Sequence, residues 1–336
     1  MVSKRFFIIV FSLITAIGFG SLITLPAGAE SASVNAAQGL EISPALVELN
    51  AEKGKTYNIQ LTVTNVTSSD LAYSSSVDDF NSKDESGTPH ILLDSTLPAT
   101  ASIKSWVSTL ATFSLKAHKS QMVVAQVKIP NDAEPGGHYG VVRFSGHAPE
   151  LEDSGVGLSA SAGALVLIRV SGAITEQASV ASFFTARNNN QSSLFEQSPI
   201  TFVARVKNEG NIHVKPVGSI ELRDMFGGLV STMPINEEKS NVLPDSTRRF
   251  ETTFNKNWMI GRYSASLTLG YGTTGQALTA TTSFWVIPYK VILVALLALV
   301  TLVFIATKAI KAYNGHIIAK SKNENNKHNK KHAKKV

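Results

Sequence analysis

Residues 56–65 read TYNIQLTVTN, and an apolar group falls at every second position: Tyr57, Ile59, Leu61 and Val63 alternate with Asn58, Gln60 and Thr62. A period of two is the repeat of a pleated strand with one buried face and one wet face. The pattern returns in PITFVARVKN, where Ile200, Phe202, Ala204 and Val206 point one way. Each run ends on an asparagine, Asn65 and Asn208, followed by turn-forming residues, VTSSD in one case and EGN in the other. Asn, Asp and Gly tolerate left-handed dihedrals and bond to nearby backbone, which closes such turns.

A second pair of matches lies downstream of the first. SQMVVAQVKIPNDAEPGGHYGVVRFSG and STRRFETTFNKNWMIGRYSASLTLGYG are each a strand, a turn and a strand, with Gly137 and Gly261 two residues before Tyr139 and Tyr263. The longer spacing in the first copy is assigned to an insertion over residues 81–105, rich in Ser, Asp and Thr. Short strands separated by turn signals, with no helical period among them, predict an all-β protein of two tandem immunoglobulin-like β-sandwiches.

The two ends of the chain are of another kind. Lys4 and Arg5, an apolar run and the small residues Ala27 to Ala29 predict a signal peptide over 1–29. Near the other end, VILVALLALVTLVFIATKAI carries only Lys308 as a charge and is long enough to cross a bilayer as a helix. Trp285 and Tyr289 flank it, where amphipathic rings favour the membrane–water boundary.

The expected order is therefore signal peptide 1–29, linker 30–39, first sandwich 40–176 with a long hairpin insertion, second sandwich 177–286, transmembrane helix 287–310 and basic tail 311–336. From Lys308 onward nine lysines face the single Glu324, a net of +8, which by the positive-inside rule places the tail in the cytoplasm and the sandwiches outside. Lys4 and Arg5 account for a further +2 of the total of +6, so the remainder is −4. The high isoelectric point comes from the tail and supports no nucleic-acid partner. The chain has no cysteine, so the sandwiches must be held by their cores rather than by disulfides.

The residues give no catalytic, metal or cofactor set. His90, His118, His138, His147 and His213 show no close ligand spacing, and they read as surface or strand-end residues. Asp78 to Gly87, DDFNSKDESG, gathers carboxylates but lacks the alternating ligands and closing Glu of a calcium loop, and reads as a solvated loop. No nucleophile elbow is present. Trp106, Phe113 and Leu115 read as core, with an aromatic binding platform as the alternative. In HYGVVRFSG both faces are apolar, which predicts a strand covered on both sides or one carrying a bulge. The hairpin tip from His147 to Gly163 could carry recognition, or simply be an unselected loop.

Trp106, Leu110 to Leu115, Ile129 with Pro130, PGGHYGVV from Pro135 to Val142 and the following ALVLIRV together resemble the first domain of bacterial cell-surface proteins of the WxL-interacting family. KAHKS, residues 116–120, stands where a Pro-Gly turn is common in that family. The resemblance implies a peptidoglycan-binding immunoglobulin-like domain, a second host-binding domain of similar type, one transmembrane helix and a basic tail. The expected function is a single-pass membrane-anchored surface protein, not an enzyme, holding a cell-wall polymer such as peptidoglycan or another surface protein. The alternative is an envelope assembly chaperone that accepts a partner strand on an open sheet edge.

Overall fold

The computed structural model describes residues 39–332, apart from 94–96, 99–100, 109 and 148–159. The signal peptide and nearly all of the linker expected before Leu40 lie outside these residues, as does most of the hairpin tip.

Four sheets build two β-sandwiches. In the first, β1 (Leu40–Ser43), β3 (Thr56–Asn65) and β7 (Ser120–Lys128) form one layer in the order β1-β3-β7. The facing layer runs β2 (Leu46–Ala51), β9 (Ala160–Val170), β8 (Gly136–His147), β4 (Leu71–Ser82) and β5 (Pro89–Leu92), with β6 (Phe113–Leu115) also paired to β4. The second sandwich sets β11 (Asn190–Gln191), β10 (Ala178–Arg187), β13 (Ile200–Asn208) and β16 (Thr247–Phe254) against a five-stranded layer. That layer runs β12 (Leu194–Phe195), β18 (Gln276–Val286), β17 (Gly261–Tyr271), β14 (Val217–Asp224) and β15 (Leu229–Ile235). In both copies the opening strand crosses between layers. β1 runs antiparallel to β3 before β2 joins β9 in parallel, and β10 runs antiparallel to β13 before β12 joins β18 in parallel.

The alternation seen in the sequence is the burial pattern. Ile59, Leu61 and Val63 of β3 are buried, as are Ile200, Phe202, Ala204 and Val206 of β13. One core draws on Leu40 to Val170 and the other on Ala178 to Val286. Trp106 and Leu115 are buried in the first core and Phe113 packs against it, stacked on Tyr73 at 5.6 Å between ring centroids. These aromatics fill the sandwich and offer no exposed platform.

The repeat is real but its register differs by one residue from the match made on the tyrosines. Gly136 (φ +131°) and Gly261 (φ +100°) open β8 and β17, and they pair with the last residues of β9 and β18, Val170 and Val286. His138 then faces Ile168 where Tyr263 faces Phe284, so His138 occupies the core position of Tyr263. Tyr139 points the other way. This resolves the doubly apolar strand: Val142 and Phe144 enter the first core, while Tyr139 joins Phe80 and Leu167 in a third cluster closed by Leu243 of the second sandwich. A neighbouring domain covers the outer face of β8.

Beyond Pro288 a single helix, α1 (Tyr289–His332), leaves the second sandwich. Within its stretch Tyr289–Ser321 an 18-residue window has a mean hydropathy of 2.7 and is not buried by any described residue, so the helix is long and apolar enough to cross a membrane. The helix continues past 310, where the basic tail was expected to begin. No proline follows Pro288, and helix-favouring Lys and Ala recur through the tail, so nothing local ends it.

Candidate functional site

The two strand-ending asparagines do more than close turns. Asn208 has no exposed surface; its Nδ2 donates to Ile212 O (2.7 Å) and Val242 O (2.9 Å), and its Oδ1 accepts from Gly210 N (2.9 Å). Asn65 repeats the arrangement, donating to Ser69 O (2.8 Å) and Leu115 O (3.2 Å) and accepting from Thr67 N (2.9 Å). The donors reach the residue four ahead and a carbonyl far along the chain, so each amide ties a turn to a distant segment. A buried side chain that bonds to several backbone groups of a turn fixes the loop around it.

In the second sandwich that loop is the contact with the first. Val214 is buried in the core of its own sandwich and Ile212 is buried too, and the alternate residues Asn211, His213 and Lys215 face the other domain. Gly137 N donates to Asn211 O (2.8 Å), His213 N donates to Tyr139 Oη (2.9 Å), and Lys215 Nζ donates to Glu48. A Cβ at Gly136 would fall 2.8 Å from Asn211 O, so the backbones meet there only because Gly136 has no side chain.

A second clasp comes from the insertion in the first copy. The turn between β4 and β5 reaches over the four-stranded layer: Glu85 accepts two bonds from Arg205, and Arg249 N donates to Glu85 O (2.8 Å). Asp78 pairs with Arg143 at 2.9 Å, Asp79 accepts from Leu97 N (2.9 Å) and Ser102 Oγ (2.7 Å), and Asp84 accepts from Ser86 N (2.9 Å). These carboxylates already hold protein partners. The segment 78–87 is thus half strand and half clasp rather than the solvated loop expected of it. Sequence reading missed this role because Arg205 lies far along the chain and in another domain.

Between the clasps the domain junction is hollow. A cavity of about 570 Å³ is walled by Phe80, Leu97, Pro98, Pro135, Tyr139 and Asn211. Another of about 390 Å³ lies beyond His213, with Glu48, Arg169, Glu176, Lys215 and Thr273 in its wall. Burial holds the His213 imidazole down to about 4 and pushes the Tyr139 phenol up, so both groups are neutral at pH 7. Their side-chain atoms stand 3.3 Å apart. A neutral imidazole beside an unionised phenol carries no charge into the junction.

The five histidines do not converge. His138 is buried, donates through Nε2 to Glu134 O (2.8 Å) and packs against Trp106 with ring centroids 4.3 Å apart and planes tilted by 43°, and burial lowers its pKa. It and His213 are therefore core and interface residues, not the surface or strand-end groups expected. His118 adopts φ +56° in the turn where the resembled family has Pro-Gly, His147 contacts Ser74 Oγ at 3.3 Å, and His90 lies in β5. No group of three or more His, Cys, Asp or Glu among the described residues could hold a metal.

One further surface is open. β7 ends its layer, and among the described residues its far edge is covered only in its second half, where Ser108 N donates to Gln126 O (2.9 Å) and Lys128 N donates to Trp106 O (2.8 Å). Before that, no described strand pairs with it on that side, and Met122 (62 % exposed) and Val124 (44 % exposed) project from it. A strand edge that keeps apolar side chains in the open is a template for another strand.

No protein-family model matches the chain, and no curated protein matches it. Among solved structures, the class 5 fimbriae chaperone CfaA is similar at 13 % identity and a TM-score of 0.37, over 73 % of this chain and 99 % of that one. The E. coli chaperone DraB is similar at 14 % identity and a TM-score of 0.32, over 74 % and 96 %. A PapD-like domain of human CEP192 matches at 15 % identity and a TM-score of 0.26, over 41 % and 88 %. These are distant likenesses in the layout of immunoglobulin-like β domains, and they assign no family.

Proposed function

We propose that this chain is a membrane-anchored surface binding protein, its tandem sandwiches outside the cell and its basic tail inside, holding a cell-wall polymer or another surface protein. The observation that carries the reading is the clasped junction. Two sandwiches joined by the Asn211–His213–Lys215 face and by the Glu85–Arg205 pair present a preset groove, on a chain that also carries a helix able to cross a membrane. A groove that needs no ordering on binding loses less free energy to immobilisation. The neutral His213 and Tyr139 and the partnered carboxylates favour holding over catalysis. The resemblance of Trp106 to Val142 to WxL-interacting proteins supports the choice of partners, peptidoglycan among them.

The full chain in mild detergent, incubated with purified wall material and separately with surface extracts, is expected to be retained by at least one of them. Absence of retention in both overturns the reading.

The free half of β7 favours a second reading, in which a partner strand docks beside Met122 and Val124 and the protein assists envelope assembly. Amide exchange separates the two. A docked strand slows exchange over Ser120 to Val124, whereas a partner in the junction slows it around Gly137 and Asn211.

A further inference from the structure

The second sandwich exposes its large apolar side chains at one end. Leu194, Met225, Phe226, Leu229, Trp258, Ile260, Trp285 and Ile287 are the exposed ones between residues 171 and 288, with Phe226 at 89 % and Trp258 at 69 %. The strand registers bring them together. Asp224, at the foot of the β14–β15 turn, pairs with Tyr263; Gly261 pairs with Val286, Arg262 with Trp285, and Leu194 with Trp285. A Cβ on Gly261 would lie 2.1 Å from Met225 Cε, so the turn tip rests on the start of β17. A domain wetted on all sides scatters exposed apolar groups, and a gathered patch marks a contact.

That end is where α1 leaves. Only Ile287 and Pro288 stand between Val286 and Tyr289, and three extended steps span about 10 Å at most. Ile287 N donates to Phe195 O (2.8 Å), which pins the connection to the sandwich. The patch therefore cannot move far from the first turn of the helix. Lys256 and Arg262 are exposed beside it. The nearby acids are occupied: Glu196 pairs with Lys290 (2.9 Å), and Asp224 accepts from Phe226 N and Gly228 N (2.9 Å each). Apolar and aromatic tips flanked by cationic groups that hold no acidic partner among the described residues suit the boundary between acyl chains and anionic headgroups.

We propose that this end of the second sandwich is a lipid-contacting rim: Phe226, Trp258 and their neighbours seat in the bilayer surface around the emerging helix and set the tilt of the two-domain body. The inference rests on α1 being the membrane anchor. It adds a second attachment that holds the junction at a fixed height and direction.

Trp106 is buried in the first domain, so Trp258 can be read alone in a Trp285→Phe background, with the Trp258→Phe, Trp285→Phe double variant as the blank. The full chain is reconstituted in phosphatidylcholine and phosphatidylglycerol vesicles with and without brominated acyl chains. The Trp258 emission is expected to fall about two-fold on bromination, as for a ring at the headgroup level, and to resist aqueous iodide. Phe226→Asp, at a position too exposed to affect the core, is expected to reverse both effects with unchanged thermal unfolding.

Quenching by iodide but not by bromine overturns the proposal, as does protection from both, which would mean a protein cover such as a second copy. Unchanged bromine quenching in Phe226→Asp also overturns it. Alkaline extraction separates the two readings: a chain that stays with the vesicles while Trp258 is unquenched removes the rim alone, and a chain that is extracted removes the anchor as well.

Discussion

Asn208 is where a single side chain does most for the arrangement. Its amide reaches two buried carbonyls and its oxygen one buried amide, so Asn208→Ala leaves Ile212 O and Gly210 N without partners in a dry site, while Val242 O keeps its bond from Val214 N (3.0 Å). Each orphaned group costs about 1–3 kcal/mol, and the expected loss is on the order of 3 kcal/mol in the unfolding transition of the second sandwich, read by denaturant titration of the full chain. Asn65→Ala should cost less, because Ser69 O keeps a second bond from Thr67 Oγ1 at 2.9 Å. An equal loss at both sites would contradict the accounting. The sequence shows both asparagines at strand ends before turns, a local property; that their amides reach Leu115 and Val242 is not local, and no spacing announces it.

β7 and β8 show how far an element can be read from its own residues. In β7 Val123, Ala125 and Val127 are core and Met122 and Val124 stay outside, an alternation carried by the strand itself. Whether that outside is an edge depends on where residues 106–108 lie, which periodicity does not carry. Paired substitutions Met122→Lys and Val124→Lys should leave the unfolding midpoint within about 0.5 kcal/mol of the parent, because both side chains are solvated. If β7 accepts a strand, the same pair removes retention of that partner; unchanged retention points to the junction instead. β8 has two apolar faces for a reason that lies outside it. One face meets the first core and the other meets Leu243 of the second domain.

At the scale of the whole molecule the junction is sensitive to acid. The His213 imidazole, at about 4 in the folded protein against about 6.5 when unfolded, is held neutral where solvent would protonate it. Burial raises the Glu48 carboxyl, but its bonds from Lys215 and Asn241 outweigh this and hold it below the usual carboxylate range. Both groups act in one direction. The unfolded chain takes up protons first, so stability is full above pH 6.5, falls as pH drops towards 4 and continues to fall as Glu48 is neutralised. His213 contributes on the order of 2 kcal/mol to this loss, discounted for its partial exposure. Thermal unfolding followed from pH 7 to pH 4.5 should show the decline, and His213→Gln, which stays neutral, should flatten it. A variant with the parental slope would place the sensitivity elsewhere.

By itself the sequence determined whatever follows from neighbouring residues: strands from a period of two, turns from Asn, Gly and Pro, a tandem repeat from matched runs, and a helix able to cross a membrane from one uninterrupted apolar stretch. The tertiary structure alone decided the one-residue register between the copies, which placed His138 in the core and Tyr139 at the junction. It also decided the clasp of Glu85 on Arg205 and the gathering of Phe226, Trp258 and Trp285 at the end where the helix leaves. Strand formation is a property of local side-chain alternation. Register, docking and the sharing of a surface depend on contacts between residues far apart in the chain, whose energies are settled only when the sheets close on one another.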